Sequence, residues 1–395
     1  MIPKTKKPSE PPSRNENPLR VLAWGTFDLG KPRVRILLDG CEACGVTLTR
    51  CHHHVWRSIE DKTEMRAAEA VRAGIAYLRT YPRLLVQYLL APKQDVVFLG
   101  YLGHLDVLLL WPWARLRKEP IVWDAFISLY QTVVFDRQFL GPSNPAARML
   151  YLWEWLACRS VDIVLVDTEA HADYFRQTYG LPPWKVVPIL VGAEVDLFRK
   201  TDGPCHKGDR SPSFTVFFYG TFIPLHNASV IVQAARLCRN APIRWVLVGK
   251  GQQSRQVRDF VAQHQLTNVE FLDWIPYEDL IHHIQDADVC LGIFGAGQKA
   301  QMVIPNKVFQ IIAAGKPVIT ADTPAIRELV APGLFVHLIP TNDPEALAAK
   351  VMQLAATDPP AEDGSLAAVR DRIHPNRIGA KFADILGSLR RERRS

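Results

Sequence analysis

The residue types best suited to chemistry gather in one stretch, Gly292-Ile-Phe-Gly-Ala-Gly-Gln-Lys-Ala-Gln-Met-Val-Ile-Pro-Asn-Lys-Val-Phe-Gln310. An apolar run opens into a glycine loop, Pro305 stands where a first helical position is expected, and Asn306 and Lys307 fill the first turn. A lysine at that end opposes the helix dipole, which costs stability unless an anion lies beside it. With Lys299 upstream in the same loop and amide donors at the helix start, the pattern points to a diphosphate; a merely solvated lysine is the competing reading. Two other glycine turns end apolar runs. FYGTFIPLHN (218–227) carries Gly220 and Thr221, and VLVGKG (246–251) ends in Gly249, Lys250 and Gly251. Glycine lets backbone approach a ligand closely. The second turn has neither the GxGxxG nor the GxxxxGK[ST] spacing, so it supports no dinucleotide fingerprint and no P-loop.

The first half offers acid–base candidates. Asp124 follows an apolar strand at Trp123 and is either a base for an acceptor hydroxyl or a turn or helix-cap aspartate. His104, in GYLGHLD, is either a proton-transfer group or a satisfied structural histidine. Thr168 reads as the N-cap of the TEAHADYF helix. Cys41, Cys44 and Cys51 with His52, His53 and His54 look superficially like a metal site, but the ligands would have to converge from separate elements, so thiols and a surface histidine run are expected. Asp286 and Asp288 form a DxD pattern at the start of a strand, opposite the end where open α/β sheets bind ligands.

Short apolar runs alternate with helical patterns in the way parallel sheets require. Strands are expected near 20–24, 46–49, 95–99, 121–123 and 162–166, then at 214–219, 244–248, 269–272, 288–293, 317–320 and 334–337. Met65, Ala68, Val71, Ile75 and Leu78 mark an amphipathic helix that Pro82 should interrupt. Residues 1–18 read as a disordered leader and 199–213 (RKTDGPCHKGDRSPS) as a linker. The expectation is an α/β chain of two Rossmann-like, doubly wound domains, 19–198 and 214–373, facing across a cleft, with 374–395 a helix that reaches back to the first domain and a basic tail.

In order, YGTFIPLH, LVGKG, FLDWIPYEDL, ADVCLGIFG, IPNKVFQIIAAGKPVIT and DTPAIREL resemble the nucleotide-binding domain of GT-B glycosyltransferases of the family-four type, also called glycosyl transferases group 1. VDIVLVDTEAHADYF and VGAEVDLF, with WDAFISLY and WGTFDLGKPR, are similar to the acceptor domain of that family, so the resemblance runs over about residues 19 to 390. It implies that Gly220 and Thr221 face the donor phosphates and that Lys299 and Lys307 neutralise the diphosphate. It also implies that the Gly249–Gly251 turn and the loop holding Trp274 and Ile275 carry the base. Such enzymes often have two glutamates eight apart; Met302 and Gln310 stand at those positions, Thr221 replaces a common arginine, and His226 stands where lysine is frequent. Lys307, at the head of its helix, would stabilise charge developing on the departing nucleoside diphosphate.

The implied function is metal-independent sugar transfer from a nucleotide sugar, UDP- or GDP-linked, to a glycan or lipid-linked acceptor, with no cofactor. Alternatives are a GT-B epimerase or phosphorylase, or a catalytically degenerate nucleotide-sugar-binding scaffold, for which Met302 and Gln310 are the support. The 395 residues carry 47 basic and 40 acidic side chains. The excess sits at the two ends, in Lys4, Lys6, Lys7 and Arg14 and in Arg390, Arg391, Arg393 and Arg394, which speaks against nucleic acid and for loose attraction to anionic lipid. No apolar run approaches the ~18 residues of a spanning helix or the ~7–15 of a signal-peptide core. A cytoplasmic protein, at the inner face of a membrane, is therefore expected. LDVLLLWPWARLR (105–117) is either an interfacial segment or a helix covering the sheet.

Overall fold

The computed structural model describes residues 18–53, 67–199, 213–273, 275–333, 335–358 and 364–392. The expected leader, apart from its last residue, most of the 199–213 linker, His54, Trp274 and the last three tail residues lie outside these.

Among the described residues there are two six-stranded sheets, parallel throughout. The first is built from β1 (Arg20–Gly25), β2 (Thr47–His52), β3 (Val96–Leu99), β4 (Ile121–Asp124), β5 (Ile163–Val166) and β6 (Val186–Pro188), in the order β2-β1-β3-β4-β5-β6. The second holds β7 (Phe214–Tyr219), β8 (Ile243–Val248), β9 (Val269–Leu272), β10 (Val289–Leu291), β11 (Val318–Ala321) and β12 (Val336–Ile339), in the order β12-β11-β10-β7-β8-β9. The central strands β3, β4, β5, β10 and β11 are buried along their whole length, as sheets covered by helices on both faces demand. Each sheet has an apolar cluster on either side. In the second sheet the strand order reverses between β7 and β10, and loops leaving the carboxyl ends of such neighbours bound the crevice where doubly wound sheets hold ligands.

The helix expected to stop at Pro82 runs from Ala67 to Leu90 through the proline. A proline inside a helix costs about 3 kcal/mol, and Tyr81, Leu84 and Tyr88, buried together against the first sheet, offset it. The Leu84 carbonyl is taken by Trp24 Nε1 at 3.1 Å. β6 has no counterpart in the sequence reading, β10 is shorter than expected, and β12 lies two residues later.

The chain crosses between domains twice. Val191, Val195 and Phe198 already belong to the core of the second domain, and the last helix, Pro375–Glu392, packs back on Pro32–Ala43 of the first. Those two helices cross backbone to backbone: a Cβ on Gly379 would lie 2.4 Å from the Gly40 Cα, so only glycine fits. Ile378, Phe382 and Leu386 complete the cluster of Val34, Leu37, Leu38 and Cys41.

Candidate functional site

Three loops at the carboxyl ends of β7, β8 and β10 meet at the reversal point. The ladder continues past the strands, with the Gly220 amide donating to the Val248 carbonyl and the Gly249 amide to the Leu272 carbonyl, both at 2.9 Å. Contact is close enough to exclude side chains. A Cβ on Gly249 would fall 2.1 Å from the Gly220 carbonyl oxygen, and one on Gly251 would fall 2.8 Å from Thr221 Cγ2. Lys250 between them is exposed. His226 closes the first loop, its Nδ1 donating to the Thr221 carbonyl. The next residue, Asn227, adopts φ 49°, a left-handed conformation that asparagine tolerates, and starts the helix Ala228–Leu237.

Lys307 sits beneath this turn. Pro305 is the N-cap rather than a first helical position, Asn306 and Lys307 begin the helix Asn306–Ala314, and no side chain caps it. Pro305 and Asn306 at the tip are half-buried, but Lys307 is buried, its Nζ lies 3.9 Å from the Phe218 ring centre, and a Cβ on Gly220 would stand 2.8 Å from that Nζ and 3.1 Å from His226 Cε1. Among the described residues this ammonium has no hydrogen-bond partner. Burial alone drives its pKa well below the ordinary lysine range. Burial, then repulsion from Lys307, likewise holds His226 well below its ordinary value, so the ring is neutral and Nδ1 carries its proton.

Lys299 departs from expectation. It projects across the cleft to the first domain, where its Nζ meets Thr132 Oγ1 at 2.9 Å and Asp136 Oδ2 at 3.5 Å, and burial lowers its pKa despite Asp136. The opposing π-type turn Thr132–Asp136 leads into Arg137, whose charge also depresses His226 and Lys299. Sequence reasoning missed Arg137; its only signal was a cation just after the WDAFISLY segment. His226 thus lies within electrostatic reach of Lys307, Arg137 and Lys299, the last paired with Asp136. Gln310 is spoken for differently: its Oε1 accepts from Tyr219 Oη at 2.9 Å and its Nε2 donates to Tyr277 Oη at 3.3 Å. Tyr277 in turn donates to Glu194. Met302 points away from any polar role, packed into the first domain's cluster while its carbonyl accepts from Thr168 Oγ1. Ile275 packs at the edge of the second domain's core.

Both acid–base candidates of the first domain are buried and engaged by side chains of that domain. Asp124 is fully buried, bound by Arg33 through Nη2 at 2.7 Å and Nε at 2.9 Å. It is therefore half of an internal ion pair and caps no helix. His104 is buried, its Nε2 3.2 Å from Glu154 Oε1 and its ring edge-on to Trp123. Glu154, which the sequence reading passed over, is the hub there, accepting also from Ser128 Oγ, Tyr179 Oη and the amides of Leu129 and Tyr130. Burial raises its pKa, but these bonds, that of His104 foremost, hold it below the usual carboxylate range. A single glutamate inside the apolar stripe of YLWEWL was the available clue. Thr168 does cap its helix, accepting from the His171 amide at 3.1 Å. Asp288 accepts from the Thr215 amide at 2.7 Å, a structural role. Among the described residues no cluster of His, Cys, Asp and Glu has the size of a metal site, and no helix is long and apolar enough to cross a membrane.

The two domains touch along this cleft. Glu328, on Pro324–Leu329, accepts from the amides of Glu169 and Ala170 at 2.7 and 2.9 Å, capping Glu169–Tyr179 of the first domain from across the gap.

Comparison with known proteins agrees with this architecture. The family described as glycosyl transferases group 1 matches residues 213–357. WcaL of Salmonella typhimurium, named as a colanic acid biosynthesis glycosyltransferase, is 24% identical over 304 residues, covering 74% of this chain and 70% of that one. WcaL of Escherichia coli is 24% identical over 341 residues, 85% and 80% of the two chains. Among solved structures, HepE of Anabaena in complex with UDP-glucose superposes with a TM-score of 0.63 at 14% identity, over 94% of this chain and 99% of that one. Sucrose-phosphate synthase of Thermosynechococcus elongatus gives 0.64 at 15%, over 95% and 99%. Two doubly wound domains, and a family match across the second of them, support a GT-B glycosyltransferase of group 1.

Proposed function

We propose that the protein transfers a sugar from a nucleotide-diphosphate donor, UDP- or GDP-linked, to a hydroxyl of a glycan or lipid-linked glycan, working on the cytoplasmic side at a membrane surface. The observation that carries the reading is the buried Lys307 amine under the Gly220 turn, which has no hydrogen-bond partner among the described residues. A buried amine without a hydrogen-bond partner is costly, and a diphosphate, which would recharge it, is the ligand that this lysine, the glycine turn and the uncapped helix start are built to accept. Lys299 and Arg137 add donors nearby, Lys299 exchanging Asp136 for a phosphate oxygen, and His226, whose Nδ1 proton goes to Thr221, donates through Nε2 only once an anion has protonated it. Gly249, Lys250, Gly251 and Ile275 would border the nucleoside and Gln310 the ribose, to which an amide both donates and accepts.

As the bond to the anomeric carbon breaks, charge collects on the leaving diphosphate, and fixed donors aimed at it lower the barrier. These cations supply the charge that a divalent ion supplies elsewhere, so chelation should leave turnover unchanged. HepE was solved with UDP and with UDP-glucose, and WcaL is named for colanic acid biosynthesis; both support a nucleotide-sugar donor and a polysaccharide-type acceptor. A thermal-shift panel of UDP, GDP, ADP and TDP sugars tests the donor, since a ligand at 100 times its Kd adds about 2.7 kcal/mol of apparent stability. No shift with any of them would count against the reading. Met302, placed where a sugar-contacting carboxylate would stand and packed in apolar surroundings, favours the second reading, a binder without turnover. A nucleotide sugar that shifts stability but yields no product with any acceptor would select it.

A further inference from the structure

Among the described residues the first domain leaves a broad apolar face uncovered. On the helix His104–Arg117 the exposed large side chains are Leu105, Trp111, Trp113 and Leu116, the last 76% exposed. On Pro145–Ser160 they are Met149, Leu152, Trp153 and Leu156, Met149 at 71%. The helices are neighbours, with the His104 and Trp153 rings 5.9 Å apart. Arg117 ties the Tyr88 and Leu89 carbonyls to the same surface, bringing Val86, Leu89 and Leu90 alongside. At the other end Lys185 donates to the Arg159 carbonyl, which sets the exposed Trp184 beside the second helix. Contiguous exposed apolar surface of this kind marks an interaction site.

Its charges identify the occupant. Every acid in residues 104–119 and 144–160 is buried and committed inward: Asp106 to Thr26 and Tyr81, Glu119 to Tyr88 and Gln94, Glu154 to the hub described above. The exposed charges on the same segments, Arg115, Lys118, Arg148 and Arg159, are all cations; the half-buried Asp162 beside them lies 3.7 Å from Arg115, which leaves the net charge of the face positive. A second copy docked on this face would set Lys118, Arg148 and Arg159 against like charges, with only the Arg115-paired Asp162 as an acid. Tryptophan, leucine and arginine side by side are what the boundary between headgroups and acyl chains accepts. We infer that this face, formed by the two helices and the end of Ala67–Leu90, docks the protein on a bilayer with anionic headgroups.

The face also leads to the cleft. Tyr151 of the second helix contacts Tyr130 at 5.4 Å between ring centres, and Tyr130 contacts Phe135 at 5.6 Å, in the turn that faces Lys299. A lipid-linked acceptor would thus reach the donor without leaving the surface. That last step rests on the proposed function, whereas docking itself does not.

Flotation of the full chain with phosphatidylglycerol-containing vesicles, against phosphatidylcholine alone, tests it. The wild type should float with the anionic vesicles, less so as salt rises. The triple variant Leu116→Gln, Leu152→Gln, Leu156→Gln should lose at least tenfold in partitioning. Arg148→Gln with Arg159→Gln should lose the preference for anionic lipid. All three proteins should keep the same nucleotide-induced thermal shift, which reports the fold and the donor site separately. Wild type that stays with the soluble fraction, flotation that survives the leucine substitutions, or lipid-free self-association abolished by them would each overturn the assignment.

Discussion

Replacing Lys307 by methionine should raise stability while it removes activity. Methionine keeps the apolar stem against Phe218 and deletes only the ammonium, which is buried and has no hydrogen-bond partner among the described residues. An unsatisfied buried polar group costs about 1–3 kcal/mol, so the unfolding free energy without nucleotide should rise by about that much. Removal of one preorganised donor to a developing anion costs about 10²–10³ in turnover, or roughly 2.7–4 kcal/mol. The two effects have opposite signs, which loss of a structural residue cannot produce.

Proton linkage gives a second readout. The folded-state pKa of Lys307 lies well below 10.5, so between those values the unfolded chain binds a proton that the folded chain sheds. Stability from this group therefore rises with pH across that window and levels off above 10.5, and the methionine variant should lack the slope. A diphosphate should recharge the lysine, so UDP binding in that window should take up a proton, measurable by calorimetry in buffers of different ionisation enthalpy. Denaturant titration and initial-rate assays complete the test. Unchanged turnover in Lys307→Met, or turnover and stability falling together, would refute the reasoning.

Other outcomes follow from neighbouring geometry. Gly220→Ala adds a Cβ 2.8 Å from Lys307 Nζ at φ +139°; it should abolish the UDP-induced thermal shift and lower stability by about 1–3 kcal/mol. Asp124→Ala leaves Arg33 buried and unpaired and should cost about 3–5 kcal/mol in urea unfolding; a normal unfolding curve with lost turnover would return Asp124 to catalysis. Glu328→Ala removes the cap that the second domain places on Glu169–Tyr179 and should cost about 0.5–2 kcal/mol, with a larger radius of gyration in small-angle scattering as the cleft loosens.

Most strands of the fold were legible because they are runs of buried apolar residues closed by glycine or a polar turn, β2 and β9 being the less buried exceptions, and the second domain's order of motifs located the reversal point. Three things were not. β6 is three residues long and ends in Pro188, too short for a pattern. Pro82 announces a break that Tyr81, Leu84 and Tyr88 override through tertiary packing. The polar groups of the cleft were identifiable by type but not by partner: Lys299 and Lys307 look alike in sequence, yet one is met by Asp136 across the gap and the other by an aromatic face. The partners of Asp124 and His104 were out of sight for the same reason, since Arg33 and Glu154 stand 91 and 50 residues away along the chain.

The seam at Gly40 and Gly379 means that the first domain is assembled from both ends of the chain. Its Pro32–Ala43 helix keeps an apolar side bare until Ile378, Phe382 and Leu386 arrive, about 200 residues after the rest of that domain. At about 5–20 residues per second of synthesis the wait is roughly 10–40 s, during which the nascent chain carries an unfinished core. A fragment ending at residue 199 should therefore aggregate or recruit chaperones, and fusing the missing helix directly to it should restore a soluble domain.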